Sequence, residues 1–419
     1  MTSRFAWIDI DEASRRTMLD FIDQFRDQGT LDELGIGVLR DAFADYFFPG
    51  TTTVQTRARY FLFVPWIYRR LEDRRTPSVE LARRLRSGEL ALLQAMLDAG
   101  VGDGERLIGR QSGAALKRWP SSIYWAGLGK WGIRRFPGSQ ERYHRWLDTF
   151  YQRKKNALEE IERESGGEYL DNWDPDPHFP KMPEGFPEGM TMDLRRGDAE
   201  YLIHRIRISC PGTLLASLLG NAPALEADSI WMLPSLGDLA PELQDQIRHA
   251  RWFAQVMHGA NLLYYWSAAN LGQQKDRADS AEALLDKWSS TLVDDWKDLL
   301  DWSATRSKLW ENPALREVKV PERTRRFVES WLNLVLERGP QPGIWKFDAA
   351  LQLVKDRERE TKGEARARLW TRQQLERWDP TGTPSLLDYR WGIASSMLDD
   401  IQRGLLGETE STPQEAEDA

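Results

Sequence analysis

The chain has 419 residues, 41% of them hydrophobic and 29% charged, an ordinary balance for a globular protein long enough to bury a large core. A single cysteine, Cys210, excludes an internal disulfide framework and any multi-cysteine metal site. The net charge of −8 is unevenly spread: residues 57–157 hold 21 Lys and Arg against 9 Asp and Glu, a balance of +12, which leaves −20 for the remainder. Such asymmetry points either to a polyanionic partner or to pairing between basic and acidic helices of the same chain. No apolar run is long enough to span a bilayer and no secretory pattern opens the chain. The expected location is therefore the cytoplasm, with no membrane partner.

The first predicted helix covers residues 11–28, with Met18, Leu19, Phe21, Ile22 and Phe25 inward. Residues 40–75 follow and organise the rest. Ala42, Phe43, Tyr46 and Phe47 share one helical stripe, and Pro49-Gly50 stops that helix. Thr53 suits the N-cap of a second helix whose apolar positions are Val54, Ala58, Phe61, Leu62, Pro65 and Trp66, with a kink expected at Pro65. On this reading Thr51, Thr52 and Thr53, together with the free amides of the first turn, Arg57 and Arg59, form an anion cradle. The competing expectation pairs Arg57 with Asp41 or Asp45 across the turn.

A helix from Ser78 to about residue 99 comes next, then a glycine-rich loop at 99–109 that lacks the lysine ending of a phosphate loop. Residues 105–120 and 121–136 read as two short helices, the second opening on serines suited to capping, the pattern of a helix-turn-helix or winged-helix unit. Lys117, Arg118, Lys130, Arg134 and Arg135 are its candidate nucleic-acid contacts. An ordinary short helix pair is the alternative. Ser139 should cap a helix to about residue 165. Trp125, Trp131, Tyr143 and Trp146, lying among the cations, are candidates for stacking on unpaired bases.

At residues 166–192 the helical period stops, and Pro175, Pro177, Pro180, Pro183 and Pro187 interrupt the chain. This segment is predicted to link a basic helical domain, residues 1–165, to a helical bundle at 193–405, with a disordered acidic tail at 406–419. The bundle's helices are expected near 198–209, 213–219, 241–265 (opened by Pro241 at its first position), 280–303, 322–338, 347–360, 365–378 and 385–405. The fold class is all-α: a multi-helix bundle of two helical subdomains, with a helix-turn-helix-like unit in the N-terminal half.

Signatures of chemistry are sparse. The chain has five histidines and lacks the metalloprotease, Walker and nucleophile-elbow motifs. Asp294, Asp295, Asp298 and Asp301 read as a solvated acidic face rather than a Mg²⁺ site. Glu317-Val318-Lys319 has the spacing of a nuclease Glu-x-Lys element without its strand or upstream acid. No catalytic residue, metal ligand or cofactor is assigned.

Three runs, DELGIGVLRDAFADYFFPGTTTVQTRARYFLFVPWIY, PSSIYWAGLGKWGIRRFPGS and LDYRWGIASSML, resemble those of a bacterial family catalogued as a domain of unknown function. They lie toward both ends, so the resemblance covers most of the chain, and it carries over no catalytic residue. Similar proteins tend to be encoded beside helicase-like and phospholipase-D-like genes in antiviral defence islands. The resemblance thus implies an accessory role in a multi-protein system handling foreign DNA, with those proteins as candidate partners. Three functions stand at this point: a non-catalytic DNA- or RNA-binding or scaffold component, a divergent metal-dependent nuclease, and a structural adaptor.

Overall fold

The structure, a computed structural model, describes residues 32–163, 171–221, 226–316, 318–341, 343–380 and 382–407. The helix expected at 11–28, Glu317 and residues 408–419 of the expected tail lie outside the described residues. Fourteen α-helices and several short 3-10 turns carry the described chain. There is no strand among the described residues, only an isolated bridge between Arg134 and Trp173. The fold is all-α.

The chain packs as two compact units. One comprises residues 32–42 with Arg248–Leu387, the other Phe43–Ile247 with residues 388–407. The sequence places a boundary at 166–192, but residues 171–192 are packed inside the second unit. Trp173, Phe179 and Phe186 are buried, and the Asn172 carbonyl accepts the amides of Arg135 and Phe136. Prolines remove donors without preventing burial: the aromatics between them supply the apolar surface that the helical period lacks.

Helix α1 spans Gly37–Phe47. Asp32 caps it by accepting the amides of Ile36 and Gly37, at 2.7 and 2.8 Å. Gly50, at φ +85°, permits the reversal after Pro49. Helix α2 then runs Tyr60–Asp73 and not from Thr53. Tertiary partners explain the delay. The Tyr124 hydroxyl accepts the amides of Thr56 and Arg57, and the Asp400 carboxylate accepts that of Ala58 at 2.8 Å. Donors that an N-cap would satisfy are thereby already satisfied.

Helices α3 (Ser78–Asp98) and α4 (Pro120–Lys130) pack on α2. Phe61 stacks on Trp131 with ring centroids 3.7 Å apart. The approach of α4 requires glycine at 127, because a Cβ there would stand 2.4 Å from the Gly50 carbonyl oxygen. Between α3 and α4 the chain makes only 3-10 turns at Asp103–Glu105 and Gly113–Ala115. The first helix of the expected helix-turn-helix does not form; positive φ at Gly109 and Gly113 breaks the run. Helix α5 (Gln140–Arg163) packs on α3, and Ser139 Oγ accepts the Arg142 amide as its sequence position suggests.

Helix α6 (Arg196–Ser209) is followed by the single turn α7 (Leu214–Ser217), capped by Thr213. Helix α8 (Pro241–Leu271) opens on Pro241 as expected. In the first unit α9 (Lys275–Asp294) and α10 (Trp296–Ser303) replace the single helix expected at 280–303. The break falls at Asp295, which pairs with Arg251 at 2.7 Å. The four aspartates therefore do not share one helix. Helices α11 (Glu322–Arg338), α12 (Asp348–Lys362) and α13 (Arg372–Glu376) complete that unit. Its core is built on tryptophans: Trp288 stacks on Trp331, whose indole N–H donates to the Val256 carbonyl. Helix α14 (Trp391–Leu406) belongs to the second unit and packs along α6.

Candidate functional site

In the second unit two arginines expected to face an anion do converge on a cleft, held there by partners far away in sequence. The Arg57 side chain is 5% exposed and its Nε donates to both oxygens of Asp400, itself 1% exposed, at 2.9 and 3.0 Å. Its Nη1 donates to Glu105. Its Nη2 is buried with no hydrogen-bond partner; the Asp193 carboxylate stands 3.8 Å away. Neither Asp41 nor Asp45 is the partner that Arg57 was expected to find. Asp41 meets Arg40, and Asp45 meets Arg390 at 2.5 Å. Burial opposes charge on Arg57, but Asp400 and Glu105 outweigh it and hold the guanidinium's pKa above its ordinary value.

Arg59 shapes the opposite wall. Its Nη1 donates to the Thr191 carbonyl and hydroxyl, at 3.1 and 3.0 Å, and to the Asp193 carbonyl. These bonds pin the segment that leads into α6. That segment delivers Arg195 and Arg196 to the cleft, and α14 delivers Arg403. The resulting cleft has a volume of about 800 Å³. Arg57, Arg59, Arg195, Arg196 and Arg403 line it against the carboxylates of Asp193 and Asp400, and among the described residues no aromatic side chain lines it. Beyond these two carboxylates, Glu105 pairs with Arg57, Asp198 stands 3.8 Å from Arg59, Glu200 pairs with Arg196 at 3.0 Å and Asp399 with Arg403 at 3.0 Å. The first turn of α6 presents its positive dipole end to the cleft.

The remaining predicted residues lie elsewhere. Thr51 is buried and donates to the Phe48 carbonyl at 2.7 Å, and the Thr52 amide donates to Gln55. Neither these two nor Thr53 line the cleft, whereas Arg57 and Arg59 do. Lys117, Lys130 and Arg135 are exposed and Arg118 half-buried, none of them in the cleft. Arg134 is an internal clamp over the Trp125 ring, donating to the carbonyls of Trp125 and Phe136. Burial lowers its pKa from the usual value. Trp125, Trp131 and Tyr143 are buried among other rings and present no face to a base. Trp146 is half-buried against Phe136, with Arg153 over its ring. Amphipathic helices in an aromatic-rich bundle turn their rings inward whatever the charge beside them in sequence.

Among the described residues no group of three His, Cys, Asp or Glu side chains suits a metal ion. His249 accepts the Trp302 indole N–H at 2.9 Å in the core of the first unit, and burial pushes His258 down to about 4. No described helix is long and apolar enough to cross a membrane.

The model of one protein family matches residues 2–404, nearly the whole chain. The chain belongs to the family of unknown function DUF6361. No curated protein and no solved structure matches it. In this DUF6361 chain, Arg195, Arg196 and Arg403 are the cleft residues that sequence reasoning missed. The one local signal is Arg-Arg-Gly-Asp opening a helix directly after a proline-rich segment.

Proposed function

We propose that the protein is a non-catalytic nucleic-acid-binding component of a multi-protein prokaryotic defence system, and that DNA or RNA phosphates lie in the arginine cleft. One observation carries this: five arginines surround the cleft, and one of them, Arg57, keeps a buried Nη2 without a hydrogen-bond partner. Fixed guanidinium groups supply the phosphate contacts and counterion release that dominate nucleic-acid affinity. The defence setting, and helicase-like and phospholipase-D-like partners, rest on the family resemblance. Location in the cytoplasm goes with that setting.

The test replaces Arg195 and Arg196 together by Gln in the full chain. Both are exposed, so folding is preserved. Binding of a labelled oligonucleotide is followed by fluorescence anisotropy across a salt series. Removing two phosphate contacts makes the log–log salt slope shallower by roughly 1.5. Absence of binding at low salt, or an unchanged slope, overturns the reading in favour of a protein–protein adaptor.

A further inference from the structure

Resting on that reading, we infer that the cleft is a phosphate seat which reads phosphate charge and ignores the base, and that Asp193 is the resident counter-charge displaced by the incoming phosphate. The argument starts at Arg57. Asp400 and Glu105 take its Nε and Nη1, which leaves Nη2 without a hydrogen-bond partner and with the Asp193 carboxylate as its ion-pair neighbour. At 3.8 Å the Asp193 carboxylate is an ion-pair neighbour beyond hydrogen-bond reach, and its side chain is 71% exposed. A buried guanidinium N–H left unsatisfied is unfavourable, and an anionic oxygen brought within about 2.9 Å removes that penalty.

Geometry selects phosphate over carboxylate. A planar carboxylate offers two acceptor atoms, and the one already present fails to close on Nη2. A tetrahedral phosphate directs oxygens to several sides at once. It can meet Arg57 Nη2 at the floor while facing Arg195 and Arg403 at the rim and the positive end of α6. The walls also lack what base recognition requires. Among the described residues their apolar contributions are Met190, Leu194 and Leu406, with no ring on which a base could stack. Asp193 is held in place from behind, because its backbone carbonyl accepts from Arg59. Its side chain can therefore swing to solvent without disturbing the wall. A nucleic-acid backbone and free inorganic polyphosphate share the required chemistry.

The experiment uses the full chain and a labelled single-stranded oligonucleotide, with three further probes: tripolyphosphate, adenosine, and the same oligonucleotide with a neutral methylphosphonate backbone. Tripolyphosphate is expected to displace the label, while adenosine does not and the neutral-backbone analogue fails to bind. Asp193→Asn removes an exposed like charge and tightens binding of both anions roughly two- to fivefold, with an unshifted melting temperature. If the oligonucleotide binds but tripolyphosphate does not compete, or the neutral analogue binds equally well, the phosphate seat is overturned while nucleic-acid binding stands. If tripolyphosphate binds and the oligonucleotide does not, the seat stands and the nucleic-acid reading falls. Unchanged or weaker binding by Asp193→Asn overturns the displacement of Asp193.

Discussion

Glu89 offers a sharp test of the second unit's packing. It lies on α3 with 4% exposure, in a small void walled by Tyr60, Leu92, Leu93, Met96, Leu116, Trp119 and Pro120. Its Oε1 accepts the Ser121 amide in the first turn of α4 at 2.6 Å, and its Oε2 has no partner. Burial pushes its carboxyl from 4.5 up to about 7, against the partial relief of the Ser121 bonds. Because the folded pKa is raised, the contribution of this group to stability is fully present below pH 4.5. It is lost as pH rises through about 7, where the native state must hold a buried charge. At about 1.4 kcal/mol per pKa unit, the gap corresponds to roughly 3 kcal/mol. Glu89→Gln keeps an acceptor for Ser121 and never ionises. Urea unfolding of both proteins across this pH range should give similar stabilities at the acid end and a difference that grows in favour of the variant toward the alkaline end. Subtracting one curve from the other cancels every group that titrates alike in both. A pH-independent difference would refute the claim that this carboxyl is neutral in the fold at low pH and charged at high pH.

Two further substitutions probe the frame of the cleft. Asp400→Ala leaves the Arg57 guanidinium and the Ala58 amide without their buried acceptor, and denaturant unfolding should show a loss of about 3–5 kcal/mol. A loss well below 1 kcal/mol would mean that the pair is not desolvated. Gly127→Ala drives a methyl against the Gly50 carbonyl and the Phe61 ring, so thermal melting should register about 1–3 kcal/mol of destabilisation. An unchanged melting temperature would show that α2 and α4 separate freely.

Much of the helical architecture was legible in the chain because it is written locally. The 3.6-residue period, Ser139 as a cap and Pro241 at a first helical position need only neighbours within a turn or two, and α5, α8 and α11 appear close to where those signals put them. Local signals also misled where tertiary partners intervened. Thr53 has the right chemistry for an N-cap, yet Tyr124 and Asp400 had already satisfied the amides it would serve, and α2 begins at Tyr60. The proline-rich segment reads as a linker because it lacks a period, but burial depends on apolar area, and Trp173, Phe179 and Phe186 supply it.

For the cleft, the sequence by itself determined that Arg57 and Arg59 sit beside a sharp turn and carry charge that must be answered. Which carboxylate answers was decided by tertiary structure alone. Asp41 and Asp45 are near in sequence, but α14 brings Asp400 to Arg57 from 343 positions away. The segment before α6 brings Asp193 and Arg195, and α14 adds Arg403. A guanidinium pairs with the oxygen nearest in space inside a region of low dielectric. Nearness across hundreds of residues is set by how whole helices pack, and no local pattern encodes it.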